Sequence, residues 1–353
     1  MTFINKWLRA DIQDIKAYQV PKSENMMKLD AMESPFLIPK DLVKPYLTYL
    51  SEVALNRYPD AGAEDVQQTL RSLMDIPNKL DVLLGNGSDE LIQLISLACE
   101  NGDTVLSLEP SFVMYEMIAK FTRLNYRGVS LDDNYEINLD GTLKEIKRTQ
   151  PKLIFISYPN NPTGNAFDSE AIHAIIKESE ALVVVDEAYY AYSEGSFLNE
   201  VANYPNLVLL RTISKMGFAG LRLGLLIGSQ NTIRELDKLR LPYNINILTQ
   251  ASANFLLKEK DHIIANANII ISERQRLFDE LTAMPSLKVF PSQANFLLIK
   301  VDDAKSLFEF LKANGILVKS FIMNPKLSKC IRVTVGDPSE NNTFLGKIKS
   351  YYD

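Results

Sequence analysis

The chain has few of the residues that carry metal and thiol chemistry. Its 353 residues include only two cysteines and two histidines. Cys99 and Cys330 each lie in an apolar segment, which favours buried free thiols over a disulfide framework. His173 and His262 fall in helix-like segments, where surface packing is their ordinary role. A zinc site and a histidine-dependent hydrolase are therefore poorly supported, and neither a G-x-S-x-G elbow nor an S-x-x-K pair is present.

Excess positive charge and long apolar runs are also missing. The 38 lysines and arginines are outnumbered by 44 acidic residues, and the net charge of −6 argues against nucleic acid or an anionic membrane as the main partner. No apolar run is long enough to span a bilayer. Lys6, Arg9, Asp11 and Asp14 interrupt the start of the sequence, so it lacks the apolar core of a secretion signal. We therefore predict a cytoplasmic protein.

Short apolar runs alternate with helical patterns from about residue 46, which predicts an α/β fold: a large domain with a mostly parallel sheet flanked by helices. Its predicted strands are 82–84, 104–108, 153–157, 182–185, 207–210 and 223–227, and its helices 63–74, 89–99, 112–122, 169–179 and 232–239. A smaller α+β domain follows, with helices 248–284 and 304–314 and strands 287–290, 295–301 and 331–335. The predicted parts are an N-terminal arm, 1–45, that packs with the small domain, a large domain, 46–245, and a small domain, 246–353.

Lys215 lies just after the apolar run 207–210, between two predicted strands. Open α/β sheets bind their ligands outside the carboxyl ends of such strands. An amine at this position suits chemistry on a carbonyl, such as a Schiff base with an aldehyde cofactor. A solvated loop lysine is the ordinary alternative, so the choice depends on the other strand ends.

A glycine-rich turn follows the strand 82–84 and precedes a helix. Its glycines allow close backbone approach, Ser88 is predicted to cap the helix, and the free N–H groups there can face an anion. Glu90 replaces the third glycine of a dinucleotide fingerprint, which weakens an NAD-binding interpretation and leaves a phosphate site possible. A simple capped turn is the alternative.

Polar side chains follow two more predicted strands. Asn161 lies in the turn 159–164, which two prolines and a glycine make rigid. Asp186 directly follows the apolar run 182–185, where burying a carboxylate is costly unless a cation meets it. A structural ion pair is the alternative for Asp186.

Taken jointly, these residues fit pyridoxal phosphate better than the other cofactors considered. Lys215 would bind the aldehyde, and Asp186 would keep the pyridine nitrogen protonated. Tyr189 and Asn161 would hydrogen-bond the phenolic oxygen, and Tyr115 would stack on the ring. The phosphate would bind to residues of two loops: Gly87, Ser88, Asp89, Thr212, Ser214 and Arg222.

Several motifs carry a family resemblance. NNPTG, DEAY and TISK followed by GLRLG resemble the fold-type I pyridoxal-phosphate aminotransferases, over nearly the whole chain. LDAMESP, RYPD, GNGSDEL and KCIRVTVG are similar to the histidinol-phosphate aminotransferase branch of that family. This resemblance implies transamination of L-histidinol phosphate with 2-oxoglutarate in histidine biosynthesis. It also implies a homodimer, in which Tyr58 reaches the neighbouring subunit's cofactor phosphate, and a contact of Tyr18 with the substrate phosphate.

Arg332 is the predicted anion site for the substrate. Apolar residues alternate around it in the strand 331–335, so it points to the opposite face and can grip an anion bidentately. A surface salt bridge is the alternative. The resemblance places Lys319 where the related enzymes usually have arginine, and lysine keeps the charge but loses the planar fork.

Other functions share part of this pattern. An aromatic or broad-specificity aminotransferase would use the same cofactor residues, and a lyase of the same fold, such as a threonine-phosphate decarboxylase, would release carbon dioxide. A regulator with an aminotransferase-like domain would need a DNA-binding module, which the sequence does not offer. An NAD enzyme would leave Lys215 without a role.

Overall fold

The computed structural model describes residues 3–13, 15, 17 and 24–353. Its strands are β1 Met27–Leu29, β2 Leu80–Asn86, β3 Thr104–Glu109, β4 Asn125–Ser130, β5 Leu153–Ser157, β6 Leu182–Asp186, β7 Leu207–Thr212, β8 Leu223–Ser229, β9 Lys288–Val289, β10 Phe296–Lys300, β11 Ile316–Ser320 and β12 Cys330–Thr334. Its helices are α1 Phe3–Trp7, α2 Ala10–Gln13, α3 Lys40–Ser51, α4 Glu64–Leu73, α5 Ser88–Leu97, α6 Val113–Phe121, α7 Leu139–Thr149, α8 Ser169–Glu178, α9 Gln230–Asp237, α10 Ile247–Leu256, α11 Lys260–Thr282, α12 Ala304–Ala313 and α13 Pro338–Tyr352.

A seven-stranded sheet in the order β2-β8-β7-β6-β5-β3-β4 forms the centre of the large part of the molecule. Strand β8 is antiparallel to both of its neighbours, β2 and β7, and the other paired strands of this sheet are parallel. Alternate residues of the central strands enter separate cores on the two faces: Val183 and Val185 face one core, and Val184 the other. Because helices cover both faces, these strands are mainly apolar, with polar residues at their carboxyl ends. The predicted α/β fold with a mostly parallel sheet is confirmed.

A second sheet has five strands in the order β1-β11-β12-β10-β9. Helices α11, α12 and α13 contribute to the core beside it. Strand β1 comes from the N-terminal segment and pairs in parallel with β11. Gly315, at a φ of +79°, follows α12 and lets the chain turn directly into β11. The division of the chain at residues 45 and 245 remains a prediction, and helix α3 spans residue 45.

The sequence interpretation missed or merged several elements. Strand β4 is an edge strand with mostly exposed side chains, so it lacks the apolar run that revealed the others. Helix α3 contains Pro45, which hid its pattern. The single helix expected over 248–284 is wrong, because the helix ends at Leu256 and a new one begins at Lys260. No helix in the described part of the chain combines the length and apolar character that a bilayer crossing requires.

Candidate active site

A cavity opens where the carboxyl ends of β5, β6 and β7 meet the start of α5. Parallel strands end at one edge of the sheet, so turns that are distant in sequence come together there. The lining residues are Met32, Ser88, Asp89, Phe112, Ser157, Asn161, Asp186, Ala188, Tyr189, Thr212, Ser214, Lys215 and Arg222. Most of the residues predicted to bind a cofactor therefore share one cavity.

Lys215 lies in a short 3₁₀ turn directly after β7. Its half-buried amine donates a hydrogen bond of 3.0 Å to the carbonyl oxygen of Ala31. Burial, helped by the nearby positive charge of Arg332, lowers the pKa of Lys215 to about 8. This amine is therefore placed and tuned for nucleophilic and proton-transfer chemistry.

Asp186 ends strand β6 and is almost completely buried, with 4% of its surface exposed. One carboxylate oxygen accepts a 2.6 Å hydrogen bond from the Tyr115 hydroxyl, and the other accepts a 3.1 Å bond from the Ala188 N–H. Burial raises the pKa of Asp186 to about 6, and the two hydrogen bonds oppose that rise. Within the described residues no cation forms an ion pair with Asp186, so the structural ion pair considered above is absent.

The start of α5 forms a cup for an anion. The N-cap residue is Gly87, and no side chain caps the helix, so the expectation that Ser88 is the cap is wrong. A side chain at Gly87 would collide with Arg222, because a Cβ there would lie 2.4 Å from the guanidinium. The Arg222 guanidinium therefore lies close to the backbone at the start of α5, where glycine makes room for it and no side chain caps the N–H groups.

Hydroxyls complete this cup. The Thr212 hydroxyl lies 2.9 Å from the Ser214 hydroxyl, and Arg222 donates to Ser214 over 3.4 Å. Arg222 also lies 3.6 Å from a carboxylate oxygen of Asp89. Burial raises the pKa of Asp89, and the nearby Arg222 opposes the rise. The set of one guanidinium, two hydroxyls and helix N–H groups matches what a phosphate requires.

Arg332 lies on the other sheet and contacts Asn161, a residue that lines the cavity. It is buried on β12 and donates hydrogen bonds to the side-chain oxygen of Asn161 and, over 2.9 Å, to the carbonyl oxygen of Asp30. Lys319 is its cross-strand partner on β11. Burial and the charge of Arg332 lower the pKa of Lys319. Two cations thus lie side by side on adjacent strands, next to a residue that lines the cavity.

Tyrosines 115 and 189 differ in how they meet the cavity. Tyr189 lines it and packs edge-on against Phe296. Tyr115 is fully buried, and its ring stacks on Phe155 with the two centroids 4.7 Å apart. The stacking role predicted for Tyr115 is therefore wrong, because its ring face is already covered. Phe112, at the start of the same helix, lines the cavity in its place.

Tyr58 is another predicted residue that does not line this cavity. Tyr58 is 80% exposed and stacks on Tyr243 with ring centroids 4.6 Å apart. Its role toward a neighbouring subunit remains a prediction. Tyr18 lies outside the described residues.

Sequence reasoning missed a strap, residues 30–32, whose backbone carbonyls bind side chains around the site. Asp30 accepts from Arg332, Ala31 from Lys215, and Met32 from Asn295 over 3.1 Å. Met32 has a φ of +54°, a left-handed conformation that turns the strap over the cavity. The sequence signal was the absence of strand alternation in this segment, which indicated irregular structure without its contacts.

Comparison with known proteins identifies the family of this chain. Residues 24–348 match the family model described as aminotransferase class I and II. The chain therefore belongs to the class I and II aminotransferases, which are pyridoxal-phosphate-dependent enzymes.

The sequence relatives include a histidinol-phosphate aminotransferase of Vesicomyosocius okutanii, 59% identical over 352 residues that cover 100% of this chain and 99% of the relative. Another, from Chromobacterium violaceum, is 44% identical and covers 99% of both chains. The histidinol-phosphate aminotransferase of Sinorhizobium meliloti, solved in complex with pyridoxal-5'-phosphate, superposes with a TM-score of 0.85 over 98% of each chain. At 21% identity, that structure supports the fold alone.

The residues of the cavity fit pyridoxal phosphate. Asp186 is a buried carboxylate without a cation, and a protonated ring nitrogen would supply one. The uncapped start of α5 and Arg222 would receive the phosphate. Lys215, which lines the same cavity, offers the amine for the aldehyde.

Proposed function

We propose that this enzyme catalyses reversible amino transfer between L-histidinol phosphate and 2-oxoglutarate, giving imidazole-acetol phosphate and L-glutamate in histidine biosynthesis. The observation that carries the proposal is the pairing of Lys319 with Arg332 on adjacent strands. Two cationic side chains on adjacent strands can hold a phosphate by charge-assisted hydrogen bonds, and the substrate phosphate would be their anion. The names of the sequence relatives support the same substrate.

Different cavity residues would bind different parts of the cofactor. Gly87, Ser88, Asp89, Thr212, Ser214 and Arg222 would bind its phosphate, Asp186 its ring nitrogen, and Asn161 and Tyr189 its phenolic oxygen. When bound, pyridoxal phosphate supplies an aldehyde for the substrate amine and a ring that stabilises the charge left when Cα loses its proton. The side of Phe112 that lines the cavity would cover the ring.

Lys215 would move the proton. Its lowered pKa, about 8, means that the neutral amine is populated near neutral pH. In that form the Nζ atom would accept the proton from the substrate Cα as a general base and return it as a general acid. Arg332 and Lys319 would hold the substrate anion, so that Cα stays within reach of Nζ.

Replacement of Lys215 tests the chemistry. We expect Lys215→Ala to lose the visible absorbance of the protein-bound cofactor and to lower kcat by about 10⁴-fold, the upper range for removing an acid–base group. Lys177→Ala, at the end of α8, is the surface control and should behave as wild type. Retention of both absorbance and turnover in Lys215→Ala would refute the role.

Competing amino donors test the substrate. We expect kcat/KM for L-histidinol phosphate to exceed that for phenylalanine and for unphosphorylated L-histidinol. Lys319→Met should raise KM for the phosphorylated donor by roughly tenfold, because a charge-assisted contact is lost, and change KM for L-histidinol little. Lys319→Arg should restore binding. Equal efficiency with phenylalanine would indicate a broad-specificity aminotransferase, and carbon dioxide release without an oxo acid would indicate a decarboxylase.

The proposal includes a homodimer in the cytoplasm. Tyr58, Leu55 and Leu241 are 80%, 69% and 73% exposed, and a subunit contact that covered them would bury apolar surface. The two cysteines are free thiols, which suits a reducing compartment. Light scattering that finds only monomers at micromolar concentration would count against the dimer, and fractionation of cells that finds the protein outside the cytoplasm would count against the location.

A further inference from the structure

Tyr115 is held rigidly behind the cavity. It lies on α6 with none of its surface exposed. Its ring is parallel to that of Phe155 on β5, with an angle of 3° between the planes, and Phe112 packs against it edge-on at 5.6 Å. Packing on two sides fixes the direction of its hydroxyl.

The hydroxyl is aimed at the Asp186 carboxylate. It donates a 2.6 Å hydrogen bond to one carboxylate oxygen, while the Ala188 N–H donates to the other. Asp186 ends β6, so its backbone is fixed by the sheet, and the two donors then fix the plane of its carboxylate. Both donors are neutral, and no charge from this chain neutralises the carboxylate within the described residues.

We propose that Tyr115 is a positioning residue: its hydroxyl holds the Asp186 carboxylate ionised and oriented toward the ring nitrogen of the cofactor. This inference rests on the role proposed above for Asp186. It replaces stacking with a function that needs the hydroxyl and not the face of the ring.

The electrostatics agree with this geometry. Burial raises the pKa of Asp186, and the hydrogen bond from Tyr115 is the largest effect that opposes the rise. Burial and the adjacent carboxylate raise the pKa of Tyr115 well above its usual value, so the hydroxyl stays a donor at any working pH. The other titratable groups that act on Asp186 are Asp89 on α5 and Glu187 and Tyr189 after β6.

The substitution Tyr115→Phe removes the hydroxyl and keeps the ring stack. The measurement is the affinity of the cofactor-free protein for pyridoxal phosphate between pH 5 and pH 8, followed by absorbance. We expect binding at pH 7 to weaken by roughly tenfold, as for a lost hydrogen bond to a charged group, and the loss of affinity on acidification to begin at higher pH. Tyr126→Phe, on edge strand β4, is the control that should change neither.

Testing Tyr115→Phe in a second variant of the protein shows whether Tyr115 positions Asp186 or only packs in the core. In Asp186→Asn, which has no carboxylate to hold ionised, Tyr115→Phe should no longer shift the pH dependence of binding. Thermal melting checks that each variant is folded. A lower melting temperature with an unshifted pH dependence, or the same shift in both backgrounds, would overturn the inference. Lack of binding by the wild type would overturn the cofactor site as well, whereas changes in donor preference alone concern only the proposed substrate.

Discussion

Two acidic residues that are adjacent in sequence, Asp186 and Glu187, have opposite surroundings. Both are buried, at 4% and 0% exposure. Glu187 binds the Arg211 guanidinium at 2.9 and 2.8 Å and also accepts from Ser196 and the Phe197 N–H. Among the residues that the structure describes, the donors to Asp186 are neutral: the Tyr115 hydroxyl and the Ala188 N–H.

The difference separates a structural carboxylate from one that awaits a ligand. Successive side chains at a strand end point in opposite directions, so one acid faces the cavity and the other the protein. Glu187 is compensated by the fold itself, and Arg211 is held further by the ring of Tyr190, 4.2 Å from its guanidinium carbon. Asp186 carries a desolvation cost that its two neutral donors offset in part, and a bound cation would offset the rest.

The largest effect is expected at the compensated acid. Glu187→Gln leaves the buried Arg211 without its counter-charge, and we expect the free energy of unfolding to fall by about 3–5 kcal/mol. Urea denaturation measures the loss. A change below about 1 kcal/mol would show that solvent or another group compensates Arg211, and the contrast with Asp186 would disappear.

In the cofactor-free protein, neutralising Asp186 is expected to raise the free energy of unfolding, whereas neutralising Glu187 lowers it. Its pKa of about 6 in the folded protein lies above the ordinary value of an aspartate, about 3.9, so the folded state binds more protons between these two pH values, and stability falls as pH rises from about 4 to 6. Above that window Asp186→Asn should make the cofactor-free protein more stable, by up to about 3 kcal/mol. Denaturation at pH 4 and pH 7 checks it, and a variant less stable than wild type at pH 7 would contradict the account.

The smallest effect is expected from replacing the whole pair. Glu187→Met combined with Arg211→Met removes both charges together and keeps the volume apolar, so we expect a change within about 1–2 kcal/mol of wild type. The same urea titration gives the value. If the double variant is as unstable as Glu187→Gln alone, the hydrogen bonds to Ser196 and Phe197 outweigh the ion pair.

The sequence revealed the strand ends and the chemistry that follows them. Asp186 was found because it directly follows an apolar run, and Lys215 because it comes a few residues after another; those runs are indeed buried strands. The ion pair was not found, because a single arginine inside a run gives no sign of the acid it meets. Arg211 lies 24 residues from Glu187, and only the pairing of β6 with β7 brings them together.

The sequence also did not show which way the side chains at the start of a helix point. Phe112 and Tyr115 are both aromatic and near the start of α6, and their spacing does not tell which one faces the cavity. Phe112 is the extended N-cap residue, whereas Tyr115 lies in the first helical turn and points into the core. Ser88 was mistaken for a cap for a similar reason, because Gly87 adopts the non-helical conformation one residue earlier.

The strap has a consequence for how the N-terminal segment behaves. One of its three carbonyl contacts is to the Lys215 amine, which a carbonyl compound would draw away. Binding of the cofactor aldehyde by Lys215 would thus free the carbonyl oxygen of Ala31, while the carbonyl oxygens of Asp30 and Met32 keep their hydrogen bonds from Arg332 and Asn295. We expect amide hydrogen exchange in this segment to report occupancy of the site, with faster exchange in the loaded protein than in the empty one.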